Sequence, residues 1–260
     1  MRYRCLILDH DDTAVDSTRE IHYPAHVRSM QLLRRKGPFM RYRCLIIDHD
    51  DTAVDSSREV HHPAHVRSME LLRPEHEPVT VETWFAKNFE PGIMGYLVDE
   101  LGLTQEELAI ELRIWREFTA KGTPQFYPGF LAALAAYRAQ GGAIAVASHS
   151  EEHVIRAHYQ AAADGRPVMP DLVFGWELGP DRRKPRPFPV HETLRRLDLE
   201  PRDILVVDDL KPGVEMAQAA GVDAAAACWS HDLPAIREFM RRTCVASFAT
   251  VAEFAEFILR

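Results

Sequence analysis

Two short apolar segments of this sequence each end in closely spaced aspartates. CLII is followed at once by Asp48, with Asp50 two residues further on, and ILVV is followed by Asp208 and Asp209. Apolar runs of this length that contain β-branched residues and are bounded by polar turns are typical of buried strands. Because ligands bind at the carboxyl ends of the strands in an open parallel sheet, we expect these four carboxylates to meet in one cleft.

Other polar side chains extend this set. Ser148 closes a third apolar segment, AIAVA, Thr52 lies in the turn after Asp50, and Lys184 lies in the loop sequence RRKPRP. Carboxylates that crowd at strand ends repel one another, and a hard divalent cation with oxygen ligands relieves the repulsion, so we expect Mg²⁺ here. A hydroxyl and an ammonium near the same point complete the groups that phosphoryl transfer requires. These residues therefore predict Mg²⁺-dependent chemistry on a phosphoryl group.

Strand and helix patterns alternate along most of the chain. A fourth apolar segment, VDAAAAC, completes the strand candidates, and helical patterns over 127–140 and 189–197 separate them. A last helix is predicted to start near Thr250, with Glu253 as its capping partner. Strands that alternate with helices predict an α/β fold built on a doubly wound parallel sheet.

Residues 55–122 carry helical patterns alone and are interpreted as a helical insertion. Its clearest helix begins at Thr104, which is predicted to form a capping box with Glu107. An apolar stripe follows at helical spacing, and we predict that it packs in a protein core rather than against a ligand. The stripe consists of Leu108, Leu112, Trp115 and Phe118. Lys87 and Asn88 are weaker candidates for a substrate contact from the same insertion.

The beginning of the chain is duplicated. Residues 1–34 recur as residues 40–73 with five differences, and no further copy follows. Two copies are too few for a solenoid, which needs about three stacked units. Only the second copy runs directly into the rest of the chain, so its strand is predicted to hold the central position in the sheet. The first copy is expected to be an appended strand and helix, either disordered or swapped between molecules.

The composition narrows the choice of partners and of location. The chain has 31 Lys and Arg against 39 Asp and Glu, and this net charge of −8 disfavours binding to nucleic acid or to an anionic membrane. Its opening residues are charged and are not expected to act as a signal peptide, and no apolar run approaches the length of a membrane span. We therefore expect a small phosphorylated metabolite as partner, a cytoplasmic location, and a monomer or homodimer. The four cysteines show no metal-ligand spacing and are expected to be reduced.

Four motifs occur in a fixed order, namely LIIDHDDTAVDS, AVASHS, KPRP and VVDDLKPGVEMAQAAG. In order and spacing they resemble the motifs of the haloacid dehalogenase superfamily, in the branch of phosphoglycolate phosphatase and β-phosphoglucomutase. The resemblance covers about residues 41–230. It implies a Rossmann-like catalytic core over 40–54 and 123–260 and an α-helical cap over 55–122, while the internal repeat sets residues 1–39 apart as a duplicated segment.

The resemblance also implies a role for each residue of the first three motifs. Asp48 would be the nucleophile, and Asp50 would protonate the leaving alcohol and then activate water. Thr52 would orient the loop that carries both aspartates. Ser148 and Lys184 would bind the phosphoryl oxygens. Because dehalogenases of this superfamily lack the second aspartate, Asp50 favours a phosphatase over a dehalogenase.

The fourth motif supplies the rest of the metal site that the resemblance implies. Asp209, together with Asp48 and the backbone carbonyl of Asp50, would bind Mg²⁺. Asp208 would bind the ion directly or through a water molecule. The resemblance does not name the substrate, which the cap is expected to select.

A few residues depart from the pattern of the superfamily or compete with this interpretation. His49 and Asp51 stand where a bulky apolar residue and a glycine are commoner, and Lys211 stands where relatives carry a small or polar residue. No role is assigned to Lys211. His61 and His65 have the spacing of a helical metal pair, but without a supporting signature we interpret them as surface or cleft-edge residues.

Other activities share parts of the pattern. ILVVDDLKPG also resembles the start of a bacterial receiver domain, but only 51 residues follow Asp209, whereas such a domain needs on the order of a hundred. A phosphomutase or phosphonatase of the same superfamily, or an inactive phosphate-binding module, would keep the same motifs, so these alternatives stay open. Phosphonate cleavage in this superfamily uses an additional cap lysine, which the sequence does not place.

Overall fold

The computed structural model describes residues 16–25, 40–162 and 168–260. The chain divides into two compact units, Met1–Phe39 and Met40–Arg260. In the first unit a π-helical turn spans Thr18–His22, while the strand predicted for the first copy lies outside the described residues. Within the described ranges, the helices are too short or too polar to span a membrane.

A parallel sheet of six strands forms the centre of the second unit. In chain order the strands are β1 Cys44–Ile47, β2 Ala143–Ala147, β3 Leu172–Phe174, β4 Ile204–Asp208, β5 Asp223–Ala227 and β6 Ala246–Phe248. Their spatial order is β3-β2-β1-β4-β5-β6, and all neighbours are parallel. The strand of the second copy, β1, therefore lies at the centre, where the sequence places it. The chain fills one side of β1 and then the other, which leaves a crevice at the carboxyl ends of β1 and β4.

The segment between β1 and β2 is helical over most of its length. Its longer helices are α1 His62–Leu72, α2 Val81–Phe89 and α3 Gln105–Lys121. The predicted capping box starts α3: the Thr104 hydroxyl accepts a hydrogen bond from the amide of Glu107, whose carboxylate accepts one from the amide of Thr104. An apolar cluster of its own stabilises the insertion, formed by Trp84, Tyr96, Leu97 and Leu103.

Helices cover both faces of the sheet. They are α4 Phe130–Ala139, α5 Glu152–Ala161, α6 Phe188–Leu197, α7 Lys211–Ala220, α8 Pro234–Thr243 and α9 Val251–Leu259. Alternate side chains of β1 enter two separate cores, with Leu45 and Ile47 on one face and Cys44 and Ile46 on the other. Since both faces of each central strand are buried, the strands read as continuous apolar runs. The predicted doubly wound α/β fold is confirmed.

One predicted helix begins later than the sequence pattern suggests. The pattern starts at residue 127, whereas α4 starts at Phe130. Gly129 has φ of 84°, a left-handed conformation that a right-handed helix cannot contain. The amide of Phe130 instead donates to the carbonyl of Tyr127 at 3.0 Å and closes a turn. The apolar pattern of the sequence therefore starts in a turn that precedes the helix, because the side chain of Tyr127 in that turn also packs on the core.

Candidate active site

Strand β1 delivers Asp48 to the carboxyl edge of the sheet. The residue is 6% exposed, and its Oδ1 accepts a hydrogen bond from the amide of His49 at 2.7 Å. Lys184 Nζ lies 2.7 Å from the same oxygen. Because both of these contacts fall on Oδ1, Oδ2 remains for another reaction partner. Asp48 also lines a cavity, so that partner can be a ligand.

The turn after Asp48 depends on Asp51. This residue has φ of 59°, in the left-handed region that favours glycine, which accounts for the glycine commonly found there in the superfamily. Its carboxylate accepts hydrogen bonds from the amide and the hydroxyl of Ser57 and so holds the strained turn. His49 is fully buried and packs on His158, with 2.9 Å between Nε2 and Nδ1. The two departures from the pattern therefore have structural roles in this loop.

Asp50 is held on three sides. Its Oδ2 accepts hydrogen bonds from the hydroxyls of Ser148 at 2.9 Å and Ser150 at 2.7 Å, and its Oδ1 lies 2.9 Å from His61 Nε2. Burial opposes ionisation of Asp50, but the interaction with His61 and the hydrogen bond of Ser150 outweigh it, so the pKa lies well below its usual range. In this arrangement Asp50 is a carboxylate, the form that accepts a proton.

Three carboxylates meet beside this loop. Ligand atoms of Asp48, Asp208 and Asp209 lie within 4.8 Å of one another, and all three residues are buried. Burial, and then the charge of Asp208, raise the pKa of Asp209 well above its usual range. Among the described residues, Asp209 Oδ2 is buried without a hydrogen-bond partner. A buried oxygen without a partner in a cluster of carboxylates fits a hard divalent cation.

Neighbouring groups fix the acidic cluster in place. The Thr52 hydroxyl donates to Asp209 Oδ1 at 3.3 Å, and the amide of Leu210 donates to Asp208 Oδ1 at 2.9 Å. Gly213, in the first turn of α7, packs closely on Asp208, because a Cβ there would lie 2.1 Å from Asp208 Oδ2. Thr52 therefore positions Asp209, a candidate metal ligand, and Gly213 leaves room for the side chain of Asp208.

Lys184 is the cation that balances these carboxylates. Its Nζ lies 2.8 Å from Asp208 Oδ2 as well as 2.7 Å from Asp48 Oδ1, and its side chain is 4% exposed. Burial disfavours the ammonium, but the charges of Asp208 and Asp48 outweigh this and raise the pKa of Lys184. Removing one partner of a buried ion pair leaves an uncompensated charge in the interior.

We expect Lys184→Met to destabilise the protein, since it leaves Asp48 and Asp208 buried without their cation. In urea denaturation with EDTA present, the loss in the free energy of unfolding should be about 3 kcal/mol. Lys211→Met is the matched control, because Lys211 pairs with Glu90, whose side chain is 67% exposed, and should cost less than about 1 kcal/mol. Equal losses in the two variants would contradict the role given to Lys184.

A comparison with models of protein families finds a match over most of the chain. The model of the haloacid dehalogenase-like hydrolase family matches residues 3–221. The chain belongs to this family. It is therefore a hydrolase, and the resemblance seen in the four motifs is confirmed.

Individual relatives of this haloacid dehalogenase-like hydrolase agree in fold. A curated phosphoglycolate phosphatase of Rhodospirillum rubrum is 33% identical over 131 residues, 50% of this chain and 49% of the relative, so the match spans about half the length of that protein. A haloacid dehalogenase-like family hydrolase of Streptococcus pneumoniae is 16% identical with a TM-score of 0.65, covering 84% of this chain and 98% of its own. CbbY of Rhodobacter sphaeroides, solved in complex with phosphate, is 17% identical with a TM-score of 0.60, covering 82% and 96%. At these identities the two structures show a shared fold.

The haloacid dehalogenase-like hydrolase has a cavity of about 500 Å³ between its acidic cluster and its helical insertion. Asp48, Asp50, Asp208, Asp209 and Lys184 all line it, so the structure brings these five predicted site residues together. Ser148 and Thr52 are not among the lining residues and act through Asp50 and Asp209 instead. The hydroxyl of Ser148 is thus occupied by Asp50, and its predicted contact with a phosphoryl group stays a prediction.

The helical insertion contributes several side chains to the wall of the cavity. Leu108, Leu112 and Trp115 line the cavity, and Leu108 also packs on the apolar cluster of the insertion, so the prediction that this stripe serves packing rather than a ligand stays a prediction. Asn88 also lines the cavity. Lys87 does not, and it forms an ion pair with Glu100.

The sequence interpretation missed two residues that contact Asp50, namely Ser150 and His61. Ser150 lies in the motif AVASHS, where a second hydroxyl two residues after Ser148 was the available signal. Trp115 Nε1 donates to His61 Nδ1 at 3.0 Å, and since indole is only a donor, the imidazole proton lies on Nε2, directed at Asp50. His65, by contrast, packs on Trp84 at a ring distance of 4.8 Å.

Ion pairs of Lys211 and Arg116 join the insertion to the core beside the cavity. Lys211, which had no assigned role, pairs with Glu90 and lies 5.3 Å from the ring of Phe89. Arg116 on α3 pairs with Glu151 of the core at 2.7 Å. Both contacts hold the insertion over the acidic cluster.

Proposed function

We propose that this hydrolase is a Mg²⁺-dependent phosphatase that hydrolyses a small phosphorylated metabolite through an aspartyl-phosphate on Asp48. The observation that carries this proposal is the position of Asp48 at the end of the central strand, where it lines the cavity and where its hydrogen bond to His49 and its ion pair with Lys184, within the described ranges, both fall on Oδ1 rather than Oδ2. Lys184 beside it supplies positive charge for a phosphoryl group. Asp50 lies two residues further on, where it can exchange a proton with the leaving group.

In the first step of the proposed reaction, Asp48 Oδ2 attacks phosphorus. Asp50 first takes a proton from the monoanionic form of the bound ester; the bond between phosphorus and the ester oxygen then breaks, and the departing oxygen takes that proton from Asp50. The products are the free alcohol and an acyl phosphate on Asp48. Lys184 remains close to the transferred group, since Nζ lies 2.7 Å from the other oxygen of Asp48.

In the second step, water attacks the phosphorus of the acyl phosphate. Asp50 takes a proton from this water, the bond between phosphorus and Asp48 Oδ2 breaks, and inorganic phosphate leaves. The interaction with His61 and the hydrogen bond from Ser150 keep the pKa of Asp50 low, which favours the carboxylate that this step requires. The cycle returns Asp48 to its carboxylate form.

The metal site belongs to the same proposal. Asp48, Asp209 and the backbone carbonyl of Asp50 would hold Mg²⁺, and Asp208 would contribute directly or through water. When bound, the ion supplies positive charge that stabilises the phosphoryl group during transfer. The clustered carboxylates and the buried oxygen of Asp209 without a partner support this assignment.

One alternative, a phosphonatase, receives less support from the cavity. Phosphonate cleavage in this superfamily requires a cap lysine, and among the described residues Lys184 is the sole lysine that lines the cavity. A phosphomutase and an inactive phosphate-binding module would share the site described above, and no contact favours either. A cytoplasmic location, the lack of nucleic-acid and membrane partners, and a monomer or homodimer remain predictions from the sequence.

The test is release of phosphate from p-nitrophenyl phosphate with and without Mg²⁺. Chelation by EDTA should lower turnover by about 100-fold or more, and added Mg²⁺ should restore it. Asp209→Asn should raise the Mg²⁺ concentration needed for half-maximal rate, because it removes a charged ligand. Asp232→Asn, at an aspartate whose side chain is 85% exposed, should leave that concentration unchanged. Full turnover in EDTA would refute the metal dependence.

A further inference from the structure

The wall of the cavity opposite the acidic cluster is apolar. We call it the apolar roof, and it is formed by residues of the helical insertion: Trp84, Ile93, Leu97, Leu108, Leu112 and Trp115. The cavity volume of about 500 Å³ lies in the range that binds organic ligands, roughly 300–1,000 Å³. A phosphoryl group at Asp48 occupies only the polar end. The rest of the volume is therefore shaped for the body of the substrate.

The charges around the cavity select against an anionic body. Within the described ranges, no arginine lines the cavity, and its one lysine, Lys184, is already paired with Asp48 and Asp208. The titratable side chains that the insertion contributes are those of Glu111 and His61, and His61 is already engaged by Asp50 at 2.9 Å and by Trp115. A second carboxylate on the substrate would lose its hydration here without gaining a cation.

The surroundings of Glu111 point in the same direction. Burial raises the pKa of Glu111 to about 7, and His61 only partly offsets this. A carboxyl group with a raised pKa reports an environment that solvates charge poorly. The region around the apolar roof thus favours uncharged groups over ionised ones.

We infer that the substrates are phosphate monoesters of alcohols with a bulky apolar or aromatic body and no carboxylate. The inference rests on the proposed function for the phosphoryl end, and the apolar roof determines specificity at the other end. Phosphoglycolate, the substrate in the name of the Rhodospirillum rubrum relative, is a poor match, because its carboxylate would face the apolar roof and Glu111. Burial of an apolar body supplies binding free energy that a two-carbon acid lacks.

A comparison of two esters tests this inference. The kcat/KM for 2-phenylethyl phosphate should exceed that for phosphoglycolate by about 10-fold to 100-fold, the effect expected from burying one large apolar side group. The full-length enzyme with Mg²⁺ is used for both. A higher kcat/KM for phosphoglycolate would overturn the inference and leave the proposed phosphatase function intact.

Paired arginine variants test the position of the roof. Leu112→Arg places a cation in the cavity, and it should reduce the preference for 2-phenylethyl phosphate over phosphoglycolate by at least about 10-fold. Leu71→Arg is the matched control, because Leu71 is 51% exposed on α1 and does not line the cavity; its preference should equal that of the wild type. Equal preferences in both variants, with both folded by circular dichroism, would count against the roof as the specificity element.

Binding of nonhydrolysable analogues keeps the test independent of turnover and of the fold of any variant. Titration calorimetry on the wild-type enzyme compares 3-phenylpropylphosphonate with 3-phosphonopropanoate. The phenyl analogue should bind at least about 10-fold more tightly. If neither ester is hydrolysed but this ratio holds, the proposed function fails and the inference about the cavity stands; the opposite ratio overturns the inference.

Discussion

Replacing Asp48 with asparagine is expected to lower the rate of phosphate release by about 10⁴-fold or more, because the amide cannot form the acyl phosphate. The change conserves size, and the amide oxygen can still accept the hydrogen bond from His49 that Oδ1 accepts in the native protein. The loss should therefore appear in kcat, with little change in stability or in affinity for a phosphonate analogue. Initial rates of phosphate release from 2-phenylethyl phosphate and from p-nitrophenyl phosphate measure the effect.

The duplication supplies an unusually close control for this experiment. Asp9 occupies the equivalent position in the first copy, within the same sequence, DHDDTAVDS. Since the strand that leads to Asp48 lies between β2 and β4, Asp9→Asn should retain the turnover of the native enzyme. An inactive Asp9→Asn with an active Asp48→Asn would assign the chemistry to the first copy and contradict the proposed site.

The sequence predicts the centre of this fold better than its edges. The strands β1, β2, β4 and β5 are buried on both faces, so each appears as an apolar run, and the runs of β1, β2 and β4 end at a polar residue. The strands β3 and β6 have three residues each, and β6 contains an exposed serine, so neither produces such a run. Short outer strands depend on pairing with their neighbours more than on their own composition.

The same contrast applies to the site. Asp48 and Asp208 could be placed from the sequence because strand order alone brings their carboxyl ends together. The contact of His61 with Asp50 depends on how the insertion lies over the core, which no local pattern encodes. The apolar stripe on α3 shows the limit most clearly, since periodicity identifies an apolar face without telling whether protein or ligand covers it.

The helical insertion contacts Asp50, lines the cavity and pairs with the core, partly through neighbouring residues of α3. His61 and Trp115 reach Asp50 from the insertion through consecutive hydrogen bonds, and the apolar roof begins at the same tryptophan. Arg116, the next residue on α3, pairs with Glu151 of the core. Arg116, which anchors α3 to the core, therefore lies next to Trp115, which belongs to the apolar roof and is linked through His61 to Asp50.

Asp50→Asn is expected to affect esters of weakly acidic alcohols more strongly than aryl esters. With 2-phenylethyl phosphate the alkoxide must be protonated as it leaves, so turnover should fall by about 10²-fold to 10⁴-fold. With p-nitrophenyl phosphate the leaving group needs no proton, and transfer to Asp48 should continue. Hydrolysis of the acyl phosphate then lacks its base, and rapid mixing should show a burst of one p-nitrophenolate per active site followed by slow turnover.

The control is Asp55→Asn, in the same loop region. Asp55 pairs with Arg58 at 3.1 Å and does not line the cavity, so its variant should show native rates with both esters and no burst. Equal losses on the two esters in Asp50→Asn, without a burst, would mean that Asp50 supports the loop rather than transferring protons. The two esters separate the two roles assigned to Asp50, since the loss of turnover with 2-phenylethyl phosphate reports the acid step and the slow phase after the burst with p-nitrophenyl phosphate reports the base step.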